Sequence, residues 1–235
     1  MKTRLDLMLY IEALPVYVRN LGVVLAPLIA AAIGLGLEYL EGPLFSPIGG
    51  AGDPLIGFII QIVAGFAFAV SVIFADDAWR HNRASLSAAW STARRKAGNI
   101  LIAVIGFFFL IYVAQLVGGT IGGVLRLPYI GEALGLVAIW AFIYSIPAVA
   151  MGGIPAGAAF SASLQTARRH PLATAILTIV SIAVYIFVAL ILPTKIGIYL
   201  GPGYDVTRIL LTAIAIGYVA LIVARQYADF AFRMW

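Results

Sequence analysis

Along this chain, long uncharged apolar runs alternate with short stretches that hold nearly all of the charge. The runs are Leu21–Leu37, Pro54–Ala75, Asn99–Leu116, Ala133–Met151, Leu172–Leu192 and Ile209–Ala224. A hydrocarbon core of roughly 30 Å takes about 20 apolar residues as helix, so the pattern predicts six transmembrane helices. The last run is the shortest and borrows residues from Thr207 or Gln226. None of the runs alternates polar and apolar positions as a barrel strand would, and helices satisfy their own backbone in lipid. Pro27 and Pro147 sit inside spans and are predicted to bend them.

Composition agrees with this pattern. Of 235 residues, 63% are hydrophobic and only 11% charged, whereas a soluble domain is nearer half apolar and one quarter charged. A water-soluble globule is excluded, and so is disorder, which needs low hydrophobicity and high charge. The chain reads as one polytopic membrane domain over residues 1–235. Its charged start, with interruptions at Glu12, Pro15 and Arg19, predicts no cleavable signal peptide.

The charges supply a direction. Six spans place both termini on one side, together with the 76–98 and 152–171 loops. That side holds Lys2, Arg4, Arg19, Arg80, Arg83, Arg94, Arg95, Lys96, Arg168, Arg169, Arg225 and Arg233, while the other holds Arg126, Lys195 and Arg208. The acidic residues divide evenly, so the bias is cationic, and cytoplasmic loops carry that excess. Both termini are predicted cytoplasmic. The pI near 9.6 then reports topology, and no nucleic-acid partner is expected.

The two long basic loops resemble one another. Ser87-Ala88-Ala89-Trp90-Ser91-Thr92-Ala93-Arg94-Arg95 aligns without gaps on Ser161-Ala162-Ser163-Leu164-Gln165-Thr166-Ala167-Arg168-Arg169, and Tyr17-Val18-Arg19-Asn20-Leu21-Gly22 is a weaker third copy of Ala93–Gly98. The predicted fold is therefore all-α, with six transmembrane helices in three hairpin repeats near residues 1–75, 76–150 and 151–235. Interfacial amphipathic helices on the cytoplasmic side join them. The middle one is read as a single face of Trp79, Leu86, Trp90, Ala93 and Ala97, opened by Asp76 and Asp77 at its N-terminus. Such an elbow anchors the chain or docks a partner. Trp79, Arg80, Arg83, Trp90, Arg94, Arg95, Lys96, Arg168 and Arg169 are its candidate contacts with anionic lipid headgroups or with another protein.

This repeated layout, an elbow ending in Thr-Ala-Arg-Arg followed by a hairpin, resembles a group of prokaryotic six-span membrane domains. Some of these are fused to glycerophosphodiester phosphodiesterases. The resemblance covers most of the chain at the level of pattern. It implies a multi-pass protein of a prokaryotic cytoplasmic membrane, and it carries no active site over.

Reactive chemistry is scarce. With no cysteine and two histidines, His81 and His170, disulfides, thiolate sites and a histidine-rich metal cluster are excluded. Asp76, Asp77 and His81 lack a further ligand to complete a metal site. No ionisable residue lies near the middle of a span; Glu38, Glu41, Asp53 and Glu132 sit at outer ends. Intramembrane serine and aspartyl protease motifs and a phosphate-binding loop are also absent. No catalytic, cofactor or metal residue is expected.

Glycine is the more informative residue. Gly118 with Gly122, Gly119 with Gly123, Gly131 with Gly135, and Gly153 with Gly157 are spaced by four, as in close helix contacts. These pairs pack either within the chain or against another subunit, and the 118–123 stretch can alternatively be an irregular outer end. Gln61, Tyr112, Gln115, Tyr144, Ser145, Tyr185 and Tyr218 are polar groups within spans that bond between helices or line a cavity. The expectation is a non-enzymatic membrane subunit or scaffold that docks through basic elbows and glycine faces. The alternative is a transporter-like or lipid-handling protein with a cavity between repeats. Expected partners are anionic lipids, and either other membrane subunits or further copies of the chain.

Overall fold

The structure is a computed structural model that describes residues 7–45, 54–200 and 203–231. Lys2, Arg4, Asp6, Asp53 and Arg233 lie outside the described residues, as does the side chain of Glu41. Among the described residues every regular element is helical: α1 (Met8–Arg19), a tight turn at Leu21–Val24, α2 (Leu25–Phe45), α3 (Pro54–His81), α4 (Leu86–Arg95), α5 (Ala97–Leu125), α6 (Ile130–Phe142), α7 (Ser145–Ala150), α8 (Ala156–Arg169), α9 (Pro171–Val184), a widened stretch at Tyr185–Ile191, α10 (Leu192–Leu200) and α11 (Tyr204–Ala231). Among the described residues, six helical stretches are long and apolar enough to cross a membrane: Leu21–Tyr39, Ile56–His81, Ala97–Leu125, Ile130–Ala150, Pro171–Ile196 and Tyr204–Ala231. The protein is a multi-pass membrane protein. Several spans run past their apolar runs; α5 has 29 residues, about 40 Å at 1.5 Å per residue.

α3 and α11 form the centre. Alanines face the helix contacts (Ala69, Ala75, Ala78, Ala213, Ala215 and Ala220 are fully buried), so the backbones approach closely. Trp79 Nε1 donates to the Leu221 carbonyl at 3.0 Å, tying α3 to α11. Two tyrosines tie α1 to α11: Tyr218 Oη donates to the Tyr10 carbonyl at 2.7 Å, and Tyr17 Oη donates to that of Ile214 at 3.1 Å.

The prolines mark where the spans bend. Pro27 has no N–H for the carbonyl four residues earlier, that of Val23, and the chain there makes a tight turn before α2 begins. Ser71 Oγ from α3 donates to that carbonyl at 2.9 Å. Pro147 breaks the fourth span at Ile143–Tyr144, between α6 and α7. Ser163 of α8 enters the break: its Oγ accepts from the Tyr144 N–H at 3.1 Å and donates to the Ala141 carbonyl at 2.9 Å. Pro193 lies just beyond the predicted fifth span, and the turn before it widens to i→i+5 spacing, with Thr194 Oγ1 donating to the carbonyls of Leu190 and Ile191.

Two expectations are corrected. Asp76 and Asp77 do not open an elbow helix; they lie in the last turns of α3, paired with Arg80 at 2.8 Å and His81 at 2.9 Å. The run from Trp79 to Ala97 is not one helix either. Asn82 takes a left-handed conformation at φ 57°, and α4 starts afresh after Ser85, whose hydroxyl accepts from the Ala88 N–H.

Replacing Ser163 with alanine leaves a buried N–H and a buried carbonyl unmatched at the break. The expected loss is about 1–3 kcal/mol, read as a lower unfolding midpoint in detergent. Ser161, whose hydroxyl bonds within its own helix at the surface, should tolerate alanine with little change.

Candidate functional site

The elbow helices end alike. α1, α4 and α8 stop at Asn20, Lys96 and His170, where the chain turns into a span; Asn20 (φ −127°, ψ 50°) and His170 (φ −128°, ψ 57°) share nearly one conformation. Each of these side chains then touches the segment at the end of the second span that follows it. Asn20 Oδ1 accepts from the Ala84 N–H at 3.3 Å, just past α3. Lys96 Nζ donates to the Ala150 carbonyl at 2.7 Å, at the end of α7, where a cation meets free carbonyls and the negative end of the helix dipole. The His170 ring stacks on Phe230 near the end of α11, with centroids 4.0 Å apart.

Burial pushes the Lys96 ammonium below its ordinary value; Arg95 acts in the same direction and Asp76 against it. Burial, followed by the charge of Arg169, also holds the His170 imidazole below its usual range.

The nine predicted elbow residues separate into two groups. Trp79 and Lys96 are half-buried and face inward: Trp79 bonds α11 and lies under the Arg225 guanidinium at 5.3 Å, and Lys96 caps α7. Arg80 pairs with Asp76. Arg83, Trp90, Arg94, Arg95, Arg168 and Arg169 are exposed. The aligned copies bury the same positions, Ala89 with Ser163 and Ala93 with Ala167, while Arg94-Arg95 and Arg168-Arg169 both face outward.

The glycines divide similarly. Gly118, Gly122, Gly131 and Gly135 lie in the α5–α6 contact, where a Cβ on Gly118 would come within 2.7 Å of the Ile130 carbonyl. Gly119 and Gly123 have open space where a Cβ would stand, in a helix that stays regular to Leu125. Gly153 and Gly157 form no pair on one helix. Gly153, at φ 65°, precedes α8, and Gly157 lies within it.

The polar groups within spans do not converge on one cavity. Tyr144, fully buried, meets Thr174 Oγ1 at 3.3 Å; Ser145 and Tyr218 bond backbone carbonyls. Gln61 and Tyr112 are exposed without a hydrogen-bond partner among the described residues, and the Gln115 side chain lies against Gly135 of α6.

Hollows among the described residues include the following three. One of about 660 Å³ lies where α5 meets α6, lined by Gly119, Gly123, Arg126 and Glu132. One of about 300 Å³ lies between α2, α3, the widened turn and α11; the Arg208–Glu38 pair, 2.6 Å apart, lines it with Tyr185 and Thr212. The third, about 410 Å³, is an almost wholly apolar groove between α2, α3 and α4, lined by Ala30, Ile33, Val63, Phe66, Leu86 and Trp90. The groove and the widened turn had no sequence signal of their own, apart from Pro193 in the second case. No group of three or more potential metal-ligating side chains occurs among the described residues.

No protein-family profile, curated protein or solved structure matches the chain.

Because the folded-state value of His170 is depressed, the unfolded chain binds more protons as pH falls below about 6.5. The stabilisation is present above that pH and is lost as pH falls through the folded value. The unfolding midpoint in detergent should therefore drop from about pH 7.5 to about pH 5. His170→Phe, which keeps a ring on Phe230, should flatten that part of the profile.

Proposed function

We propose that the chain is a non-enzymatic integral membrane subunit that holds part of a larger assembly. On this reading it docks neighbours through basic elbow helices on the cytoplasmic face and through an open glycine face of α5. The observation that carries it is the set of uncovered polar side chains. Gln61 and Tyr112 lie in spans yet are exposed, with no hydrogen-bond partner among the described residues. An amide or hydroxyl left facing hydrocarbon is costly, and a neighbouring helix removes that cost. Tyr112, Gly119 and Gly123 recur on one stripe of α5, at i, i+7 and i+11, and the two glycines leave room for another backbone.

The same proposal includes three repeats, each an elbow followed by a hairpin. It is supported by the three hinge contacts, Asn20 to Ala84, Lys96 to Ala150 and His170 to Phe230, and by the shared burial phase of α4 and α8. The resemblance to the membrane domains fused to some glycerophosphodiester phosphodiesterases belongs to this reading, as does placement in a prokaryotic cytoplasmic membrane with both termini inside. Contacts with anionic headgroups through Arg94, Arg95, Arg168 and Arg169 complete it.

A lipid-handling or transporter-like role is the second reading. It is favoured by the hollow beside the widened turn, where Arg208, Glu38, Tyr185 and Thr212 meet apolar walls, since such turns recur at functional sites.

Purification from mild detergent at native expression separates the two. As a subunit, the protein co-purifies in stoichiometric complex, and Gly119→Leu with Gly123→Leu dissolves the complex while the chain stays folded. Gly118→Leu, by contrast, disrupts the chain itself. A monomer found alone at native expression defeats the subunit reading. A reporter fused at Ile198 should lie outside the cytoplasm, and a cytoplasmic signal there would overturn the assigned direction.

A further inference from the structure

The groove between α2, α3 and α4 has a filled counterpart one unit later, which shows what its shape takes; this comparison rests on the repeat reading above. With the offset of 76 residues that aligns Tyr17–Gly22 on Ala93–Gly98, Ala30 corresponds to Gly106 and Phe66 to Phe142. With the elbow offset of 74, Leu86 corresponds to Phe160. In the second position the Phe160 ring lies edge-to-face on Phe142 at 5.8 Å and directly over Gly106, where a Cβ would come within 2.6 Å of the ring. The chain plugs that cleft with its own side chain. In the first position Leu86 is shorter, Ala30 carries the methyl group that Gly106 lacks, and about 410 Å³ stays open.

The surroundings of the open groove select an occupant. Its lining is apolar, and Trp90, half exposed and edge-to-face on Phe66 at 6.0 Å, stands at its edge. Arg94 follows Trp90 by one helical turn on the exposed face of α4, and Arg83 precedes the helix. Neither arginine has a carboxylate partner among the described residues, and the sequence from Ala78 to Gly131 contains no Asp or Glu. An apolar slot beside uncompensated cations fits a molecule with a hydrocarbon chain and a negative head.

We propose that this groove binds one anionic glycerophospholipid of the surrounding bilayer, with an acyl chain against Ala30, Phe66 and Leu86 and its phosphate at Arg94. The bound lipid does for the first cleft what Phe160 does for the second.

Native mass spectrometry of the delipidated full chain, re-incubated with an equal mixture of phosphatidylglycerol and phosphatidylcholine, tests this directly. Wild type should retain one more lipid than the double variant Ala30→Gly/Leu86→Phe, which recreates the plug. Arg94→Gln should keep an acyl-chain occupant but lower the preference for phosphatidylglycerol by roughly fivefold. A second measurement does not depend on the plugged variant: phosphatidylglycerol brominated on its acyl chains should quench Trp90 emission, taken as wild type minus Trp90→Phe. Equal lipid retention in the plugged variant, no Trp90 quenching, or a preference indifferent to Arg94 would each overturn the proposal. So would a dimer that only the plugged variant loses, because the groove would then seat a second copy. Lipid loss in the plugged variant with an intact subunit complex would support the site whatever becomes of the docking role.

Discussion

Hydrocarbon offers no hydrogen bonds, so each carbonyl or N–H released by a proline in a span must find a partner from the protein. In this structure a hydroxyl group stands at each of three proline bends. Ser71 reaches the Val23 carbonyl that Pro27 leaves open, Ser163 bridges the Tyr144 N–H and the Ala141 carbonyl across the break ahead of Pro147, and Thr194 bonds carbonyls of the widened turn beside Pro193. Two of the three partners come from another helix, so the bends also fix which helices are neighbours. The break in the fourth span is the most consequential. It turns Tyr144 into the interior, where it meets Thr174, Tyr227 and Phe230 from α9 and α11.

The elbows follow from the same constraint. A helix that turns into the membrane ends with free carbonyls and a hinge side chain near the water boundary. Asn20, Lys96 and His170 use that side chain to hold the returning end of a span by a different interaction each time: an amide, an ammonium and a stacked ring. Fixed in this way, α4 and α8 keep their alanine faces against the bundle and their arginines outward. The inward contacts of the three hinges use an amide, one lysine and a ring, and the arginines that precede the second and third hinges are exposed.

The sequence was most legible where charge interrupts hydrophobicity, since a charged side chain in hydrocarbon is too costly to be placed at random. All six spans were placed by that rule, and the second was drawn short because Asp76 and Asp77 continue α3 by pairing along it. The break at Asn82 was hidden because neither glycine nor proline marks it and the spacing from Trp79 to Ala97 runs through it in phase. The task of Ser163 was equally hidden, since the alignment pairs it with Ala89, a residue without a hydroxyl. Which glycines face inward was beyond a spacing of four: Gly118 and Gly119 belong to identical motifs one residue apart, and only the position of α6 tells them apart. The groove is further still from sequence, because it depends on how α2, α3 and α4 pack around Leu86.

The bonds from α1 to α11 bear on how the protein is made. Tyr17 and Tyr10 find their partners 197 and 208 residues further along. Local pairs such as α5 with α6 can form as soon as both helices have emerged, but α1 must wait for α11. Contacts of such long sequence separation slow folding, and domains are otherwise built from the N-terminus forward during translation. Here α11 closes onto α1, so that contact waits until every helix between them has been made.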